Sequence, residues 1–384
     1  MRFEFATATR IIFGPGTFGE VGKLAREFGS RAVVVTNLEP GGLEPLAGRL
    51  RESGLHCSVF GVRGEPEIET VQHGVRLAKQ EECAVVLSIG GGSALDAGKA
   101  IAAMLTNPGE LLDYLEVVGH GQALTRPAAP FIAVPTTAGT GAEVTRNAVL
   151  VSPEHQFKVS LRSPFLLARL ALVDPELTYD LPPAITASTG LDALTQVIEP
   201  YVCSRPNLMT DALCVEGIRR AARSLQRAFE HGRDLAARLD MSVASLFGGL
   251  ALANAGLGAV HGFAAPIGGR FHAPHGVVCA ALLPHVMEAN VRALRQRQPA
   301  AEPLRRYDEV ARLMTGNAAA TAEAGIEWAR RLVTNLKIPK LGQYGLRREH
   351  TDELVGKASQ ASSMKANPIA LTRDELACVL ERAL

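Results

Sequence analysis

The stretch from Ala84 to Lys99 constrains the fold more than any other. Ala84-Val-Val-Leu-Ser-Ile89 is apolar in all but one position. Such a run marks a strand buried on both faces, since a half-wetted strand alternates. Gly90-Gly91-Gly92-Ser93 follows with no spacer and leads into a helical stretch from about Asp96 to Leu105. A strand buried on both sides needs helices on both sides of its sheet, so the chain must form α/β layers. Glycines let backbone N–H groups approach a phosphate, and the helix N-terminus favours its charge. The same turn also serves as a plain strand-to-helix connection with no ligand, and it is not the GxGxxG fingerprint.

Ala32–Thr36, Cys57–Phe60 and Phe131–Val134 read as further strands. Helical stretches at Leu43–Gly54 and Glu67–Glu81 lie between them, which implies βαβ units and a parallel sheet. Near Pro182-Pro183 the pattern changes. Helical segments are predicted over Ala184–Tyr201, Leu208–His231, Asp234–Ala255, Tyr307–Met314, Thr321–Leu336 and Thr372–Leu384. Asp234 and Thr372 are N-cap candidates, and Glu375 completes a capping box with Thr372. At 384 residues the chain is too long for one ordinary core. The expected organisation is an α/β, Rossmann-like parallel-sheet domain over 1–182 that binds a dinucleotide. An all-α domain over 183–384 then carries the metal or substrate site.

Two further clusters carry chemistry. Pro135-Thr136-Thr137-Ala138-Gly139-Thr140-Gly141 sets three hydroxyls and two glycines at the carboxyl end of Phe131–Val134. Ligands of open α/β sheets bind beyond such strand ends. In the second half, Asp192 and Gln196 lie four apart and share a helix face. His261, His272 and His275 follow in a glycine-rich, apolar setting. A carboxylate with two imidazoles suits Fe(II) or Zn(II) with open positions. Histidines so far apart equally serve as hydrogen-bonded core or surface groups.

Composition excludes several classes. With 40 Lys+Arg against 39 Asp+Glu, no basic field exists to hold nucleic acid or an anionic membrane. No run is expected to approach a membrane span, and Met1-Arg-Phe-Glu-Phe shows no signal-like apolar core. The six cysteines form no CxxC pair and read as buried reduced thiols, so a cytoplasmic enzyme is expected. Arg292, Arg295, Arg297, Arg305 and Arg306 read as a solvated helical face, and Trp328 as core.

Taken together, these motifs resemble the iron-containing (group III) alcohol dehydrogenase family, with its dehydroquinate-synthase-like fold. The resemblance spans nearly the whole chain. It runs from Ile12-Phe-Gly-Pro-Gly16 through Ser88–Lys99, Pro135–Thr145, Val173–Leu177, Gly190–Leu194 and Ala273–Gly276 to Asn367-Pro368. It implies hydride transfer between NAD or NADP and a small alcohol, aldehyde or keto compound in an interdomain cleft. It also implies a homo-oligomer, a dimer or larger. Carried over by position, Gly91, Gly92 and Ser93 hold the pyrophosphate. Asp96, Thr136, Thr137 and Thr140 line the cofactor site, and Lys158 reaches the ribose. Asn37 stands where an acidic residue would repel a 2′-phosphate, which leaves NAD and NADP both open. The resemblance makes Asp192, His261 and His275 metal ligands and puts Gln196 where a ligand histidine is usual. Ala265 stands where a pocket histidine is usual, and His272 is the candidate replacement in proton transfer. Gln196 and Ala265 also fit a metal-independent reductase of the maleylacetate reductase type, or a catalytically silent nucleotide-binding paralogue.

Overall fold

The computed structural model describes residues 2–155 and 157–384. The chain divides into two compact units. One comprises Ala6–Thr137 and Gly141–Thr178. The other comprises Tyr179–Leu384 together with Ala138–Thr140 and the extreme N-terminus.

In the first unit, β1 (Ile11–Phe13) and α1 (Val21–Arg26) precede β2 (Arg31–Thr36), α2 (Pro40–Glu52), β3 (His56–Gly61) and α3 (Ile68–Gln80). Then come β4 (Val85–Gly90), α4 (Gly92–Thr106), the single turn α5 (Leu111–Tyr114) and β5 (Phe131–Pro135). A hairpin of β6 (Asn147–Ser152) and β7 (Phe157–Arg162) and the strand β8 (Leu170–Val173) complete it. Among the described residues the main sheet has six parallel strands in the order β1-β8-β5-β4-β2-β3.

Strand β4 is buried along its whole length, as its continuous apolar run requires. One sheet face, with Val34, Leu87 and Val134, packs against Phe18, Leu24, Leu46 and Leu50 around α1 and α2. The opposite face meets α4 so closely that a Cβ on Gly98 would lie 1.8 Å from Ser88 Oγ. The sequence reading did not include β1, β8 or the hairpin. β1 has only three residues and is held by pairing to β8, a partner distant in sequence. Asp174, just after β8, accepts the Gly16 and Phe18 N–H groups at 3.2 and 2.9 Å and anchors the turn that follows β1.

The second unit is helical: α6 (Pro183–Val202), α7 (Leu208–Glu230), α8 (Leu235–Asn254), α9 (Ala259–Phe271) and α10 (His275–Arg297). It continues with α11 (Glu302–Thr315), α12 (Ala322–Asn335), α13 (Thr351–Gln360) and α14 (Arg373–Arg382). α6 is buried over nearly its full length, from Thr186 to Val202. Asp234 caps α8 by accepting the Ala237 N–H, and Thr372 and Glu375 form the expected capping box on α14. Trp328 is half-buried and packs against the helical core.

Four expectations need correction. α9, α10 and α13 were not anticipated. Pro266, Gly268 and Gly269 lie inside α9 and Pro284 inside α10, so local propensity argues against helices that burial nonetheless stabilises. α8 and α10 are also long and apolar enough to cross a membrane, contrary to the reading of the sequence. Their apolar surfaces are largely buried in the helical unit, the other setting that suits an all-round apolar helix. The arginine run is not one solvated face, since Arg297 ends α10 and Arg305 and Arg306 lie on α11. Arg306 is largely buried, bonds Asp211 bidentately at 2.8 Å and donates to the Tyr201 carbonyl at 2.7 Å. All six cysteines are free, but only Cys203, Cys214 and Cys279 are buried; Cys83 and Cys378 are half-buried and Cys57 is exposed.

Candidate functional site

In the first unit the carboxyl ends of β2, β4 and β5 lie side by side, with Thr36 paired to Ile89 and Gly90 to Pro135. The strand after β2 adds on one side of it, whereas the chain after β4 builds toward β5 on the other. The ends of β2 and β4 therefore form a topological switch point, where open α/β sheets leave a crevice for ligands. Asn37 and Gly91 meet there, the Gly91 N–H donating to Asn37 Oδ1 at 3.2 Å.

Glycine is required at Gly90, whose φ is +150° and where a Cβ would fall 2.1 Å from Asn37 Oδ1. Gly91 is the N-cap of α4, and no side chain caps that end. The first N–H groups of a helix lack intrahelical partners, so this end suits an anion. Gly92 and Ser93 form its first turn. Thr136 is buried and bonds back to the Gly90 carbonyl through its N–H at 2.9 Å. Thr137 faces Gly91.

Asp96 sits deeper on α4. Its carboxylate takes Lys99 Nζ at 3.0 Å and the Val149 N–H at 3.1 Å, tying α4 to β6. Burial pushes its pKa up against the pull of Lys99. Lys99 is fully buried and also donates to Thr145 Oγ1 and the Asn147 carbonyl at 2.8 and 2.7 Å. Lys158 on β7 is buried and pairs with Glu65 at 2.5 Å. Glu143 is also buried in this unit, and desolvation pushes its carboxyl up to about 7.

In the helical unit, α6, α9 and α10 bring Asp192, His261, His275 and Cys279 together, with one donor atom of each within 4.8 Å of the others. Asp192 Oδ1 lies 3.3 Å from His261 Nε2 and 3.6 Å from His275 Nε2. That oxygen is buried with no hydrogen-bond partner. An orphaned buried carboxylate oxygen between two imidazoles is what a cation site looks like without its ion. Burial raises the Asp192 carboxyl, but His275 and His261 outweigh it and hold it below the usual range.

His261 donates through Nδ1 to Glu199 at 2.7 Å, and Glu199 also accepts the Val260 N–H at 2.8 Å. A carboxylate behind a ligating histidine fixes its tautomer and presents Nε2 to the metal. Asn367 holds the start of α9 by accepting the Ala259 N–H at 3.0 Å, and it bonds Asn290 reciprocally. The residues present therefore fit a divalent metal.

Gln196 stands one turn after Asp192 on α6. Its Nε2 donates to the Gly139 carbonyl at 2.8 Å, so that end of the amide ties the Ala138–Thr140 segment to α6. Thr140 belongs to the same segment. His272 is exposed and forms the left-handed C-cap of α9 at φ 51°. Sequence reasoning missed Glu199 and Cys279. Their signals were present: Glu199 lies two helical turns after Asp192, and Cys279 one turn after His275.

Comparison with known proteins finds relatives over nearly the whole chain. Residues 8–175 match the family model of the iron-containing alcohol dehydrogenases, and residues 186–384 match that of the family's C-terminal region. Alcohol dehydrogenase 4 of Schizosaccharomyces pombe is 35% identical over 379 residues, 97% of this chain and 87% of that protein. The 1,3-propanediol dehydrogenase of Klebsiella pneumoniae is 34% identical over 394 residues, 99% of this chain and 98% of its own length. The crystal structure of a 1,3-propanediol oxidoreductase superposes with a TM-score of 0.92 at 33% identity, covering 100% of both chains. The chain is thus an enzyme of the alcohol dehydrogenase type and belongs to the iron-containing alcohol dehydrogenase family.

Proposed function

We propose that this chain is an NAD(P)-dependent dehydrogenase/reductase that moves hydride between the nicotinamide and a small alcohol, aldehyde or keto compound. The observation that carries the reading is Asp192 Oδ1, buried and without a hydrogen bond between His261 and His275. In this reading Asp192, His261 and His275 hold a divalent metal, iron or zinc, which when bound supplies Lewis acidity toward a substrate oxygen. Glu199 keeps His261 Nε2 aimed at the ion. The side chain of His275 is 34% exposed against 1% for Asp192, so a substrate would approach from the His275 side.

The cofactor half follows the same logic. Gly91, Gly92 and Ser93 at the uncapped start of α4 receive the pyrophosphate. Thr136, Thr137 and Thr140 line the bound dinucleotide, with Asp96 bracing α4 and Lys158 on the ribose side. Asn37 carries no charge to repel a 2′-phosphate, so the cofactor is NAD or NADP. His272, exposed and three residues before His275, takes the proton-transfer role in place of Ala265. The enzyme is read as cytoplasmic, acting on small molecules. The family resemblance supports a homo-oligomer.

Metal analysis of the purified protein with an NAD/NADP-coupled screen of alcohols and aldehydes tests the reading. Turnover lost on chelation and restored by metal supports it. Full turnover of an Asp192→Ala, His275→Ala double variant would favour the metal-independent reductase, a reading for which the committed amide of Gln196 speaks. Cofactor binding with no turnover on any substrate would leave a silent nucleotide-binding protein.

A further inference from the structure

We infer that Cys279 is itself a metal ligand, completing with Asp192, His261 and His275 a four-donor set in which a thiolate supplies what Gln196 does not. The inference rests on the proposed metal-dependent reading. It starts from α10, where His275 and Cys279 are one turn apart and share a face. Cys279 Sγ lies 3.6 Å from His275 Nε2 and 3.8 Å from His261 Nε2. With the 3.3 and 3.6 Å separations from Asp192 Oδ1, four edges of a donor polyhedron are defined. A tetrahedron with metal–N, –O and –S bonds of about 2.0–2.3 Å has edges of about 3.3–3.8 Å. The four side chains thus stand at the spacing of ligands around one ion.

The surroundings agree. Cys279 is fully buried, and its sulfur lies against the two imidazole nitrogens. Gln196, one turn after Asp192, has its amide nitrogen on the Gly139 carbonyl. A bound dication deprotonates a coordinating thiol outright. The proton leaves as the metal enters, and the new charge is matched by the ion. A thiolate in place of an imidazole makes the set softer, which favours zinc-type ions over iron(II). A substrate would then approach on the exposed His275 side.

Cobalt(II) substitution reads the sulfur directly. The metal-stripped wild-type protein is titrated with cobalt(II) and followed by absorption, with folding of each protein checked by circular dichroism. The expected result is an intense near-ultraviolet thiolate-to-cobalt band together with tetrahedral d–d absorption. In Cys279→Ser the band should vanish and cobalt affinity should fall on the order of 100-fold, the upper end of what losing even an outer-shell partner costs. Cys279→Ala combined with Gln196→His should regain affinity without regaining the band. Cobalt bound by the wild type without the band overturns the assignment of Cys279 and leaves the metal-dependent reading standing. So does a band that persists in Cys279→Ser. A folded wild-type protein that takes up no cobalt overturns both. The wild-type spectrum alone decides if the variants fail to fold.

Discussion

The strand-end turn of the first unit is built mostly from main chain, whereas the helix-borne group of the second is built from side chains. At the turn, Gly90 supplies a φ of +150° and Gly91 an uncapped helix start, and side chains mainly fill the edges. At the group, Asp192, His261, His275 and Cys279 converge from three helices, braced by Glu199. A main-chain site tolerates loss of a side chain but not the addition of one. A side-chain site behaves the other way.

Buried carboxylates sharpen the contrast. Asp192 is held below the usual range by imidazoles, while Glu143, buried in the α/β unit, is pushed up to about 7. One carboxyl is held down by neighbouring imidazoles; the other is held up by desolvation against the pull of Lys99.

The largest expected effect is at the side-chain site. Asp192→Ala should lower kcat/KM by roughly 10³-fold or more, the several kcal/mol a Lewis acid supplies. Dinucleotide affinity, measured by calorimetry, should stay unchanged. Retained turnover would break the comparison by removing chemistry from the helical group.

Next comes Glu143. Its folded-state value of about 7 lies above the ordinary 4.5, so the folded protein binds the proton more tightly than the unfolded chain. Stability should therefore fall as pH rises from about 4.5 to about 7, by ~3 kcal/mol at most. Urea melts of the wild type and Glu143→Gln across that range check it. Parallel stability profiles would show that Glu143 does not carry the shift.

Gly90→Ala should cost ~1–3 kcal/mol of stability through backbone strain and displacement of Asn37, and should weaken dinucleotide binding. Ser93→Ala, by contrast, should change affinity little. An equal loss in both would mean that side chains, not main chain, make the anion site. The smallest effect is expected for Glu199→Gln, which keeps the shape behind His261 but removes the charge. Metal affinity should drop roughly 10–100-fold. An unchanged affinity would reduce Glu199 to a cap on α9.

Legibility followed the same division. The main-chain site could be read in sequence because strand, turn and helix are contiguous there: Val85–Gly90, Gly91 and Gly92–Thr106 are one unbroken run. The three long helices α6, α7 and α8 were visible from their periodicity for the same reason. β8 and β1 escaped because they are stabilised by each other across more than half of the first unit's length. The side-chain site was half visible. Asp192, His261 and His275 could be picked out by residue type and resemblance. Cys279 and Glu199 declare themselves only once α9 and α10 are known to be helices, and Pro266, Gly268 and Pro284 conceal that.

Ala138–Thr140 is the three-residue loan from one half of the polypeptide to the other. Ala138 is part of the helical core, and the Gly139 carbonyl takes the Gln196 amide. The helical half is consequently not contiguous in the gene. A fragment beginning at Tyr179 would lack a piece of its own interior and leave Gln196 Nε2 without that acceptor. Splitting the protein at the Thr178–Tyr179 junction therefore does not yield two self-sufficient pieces, and any swap of helical halves between relatives must carry the threonine-rich loop with it.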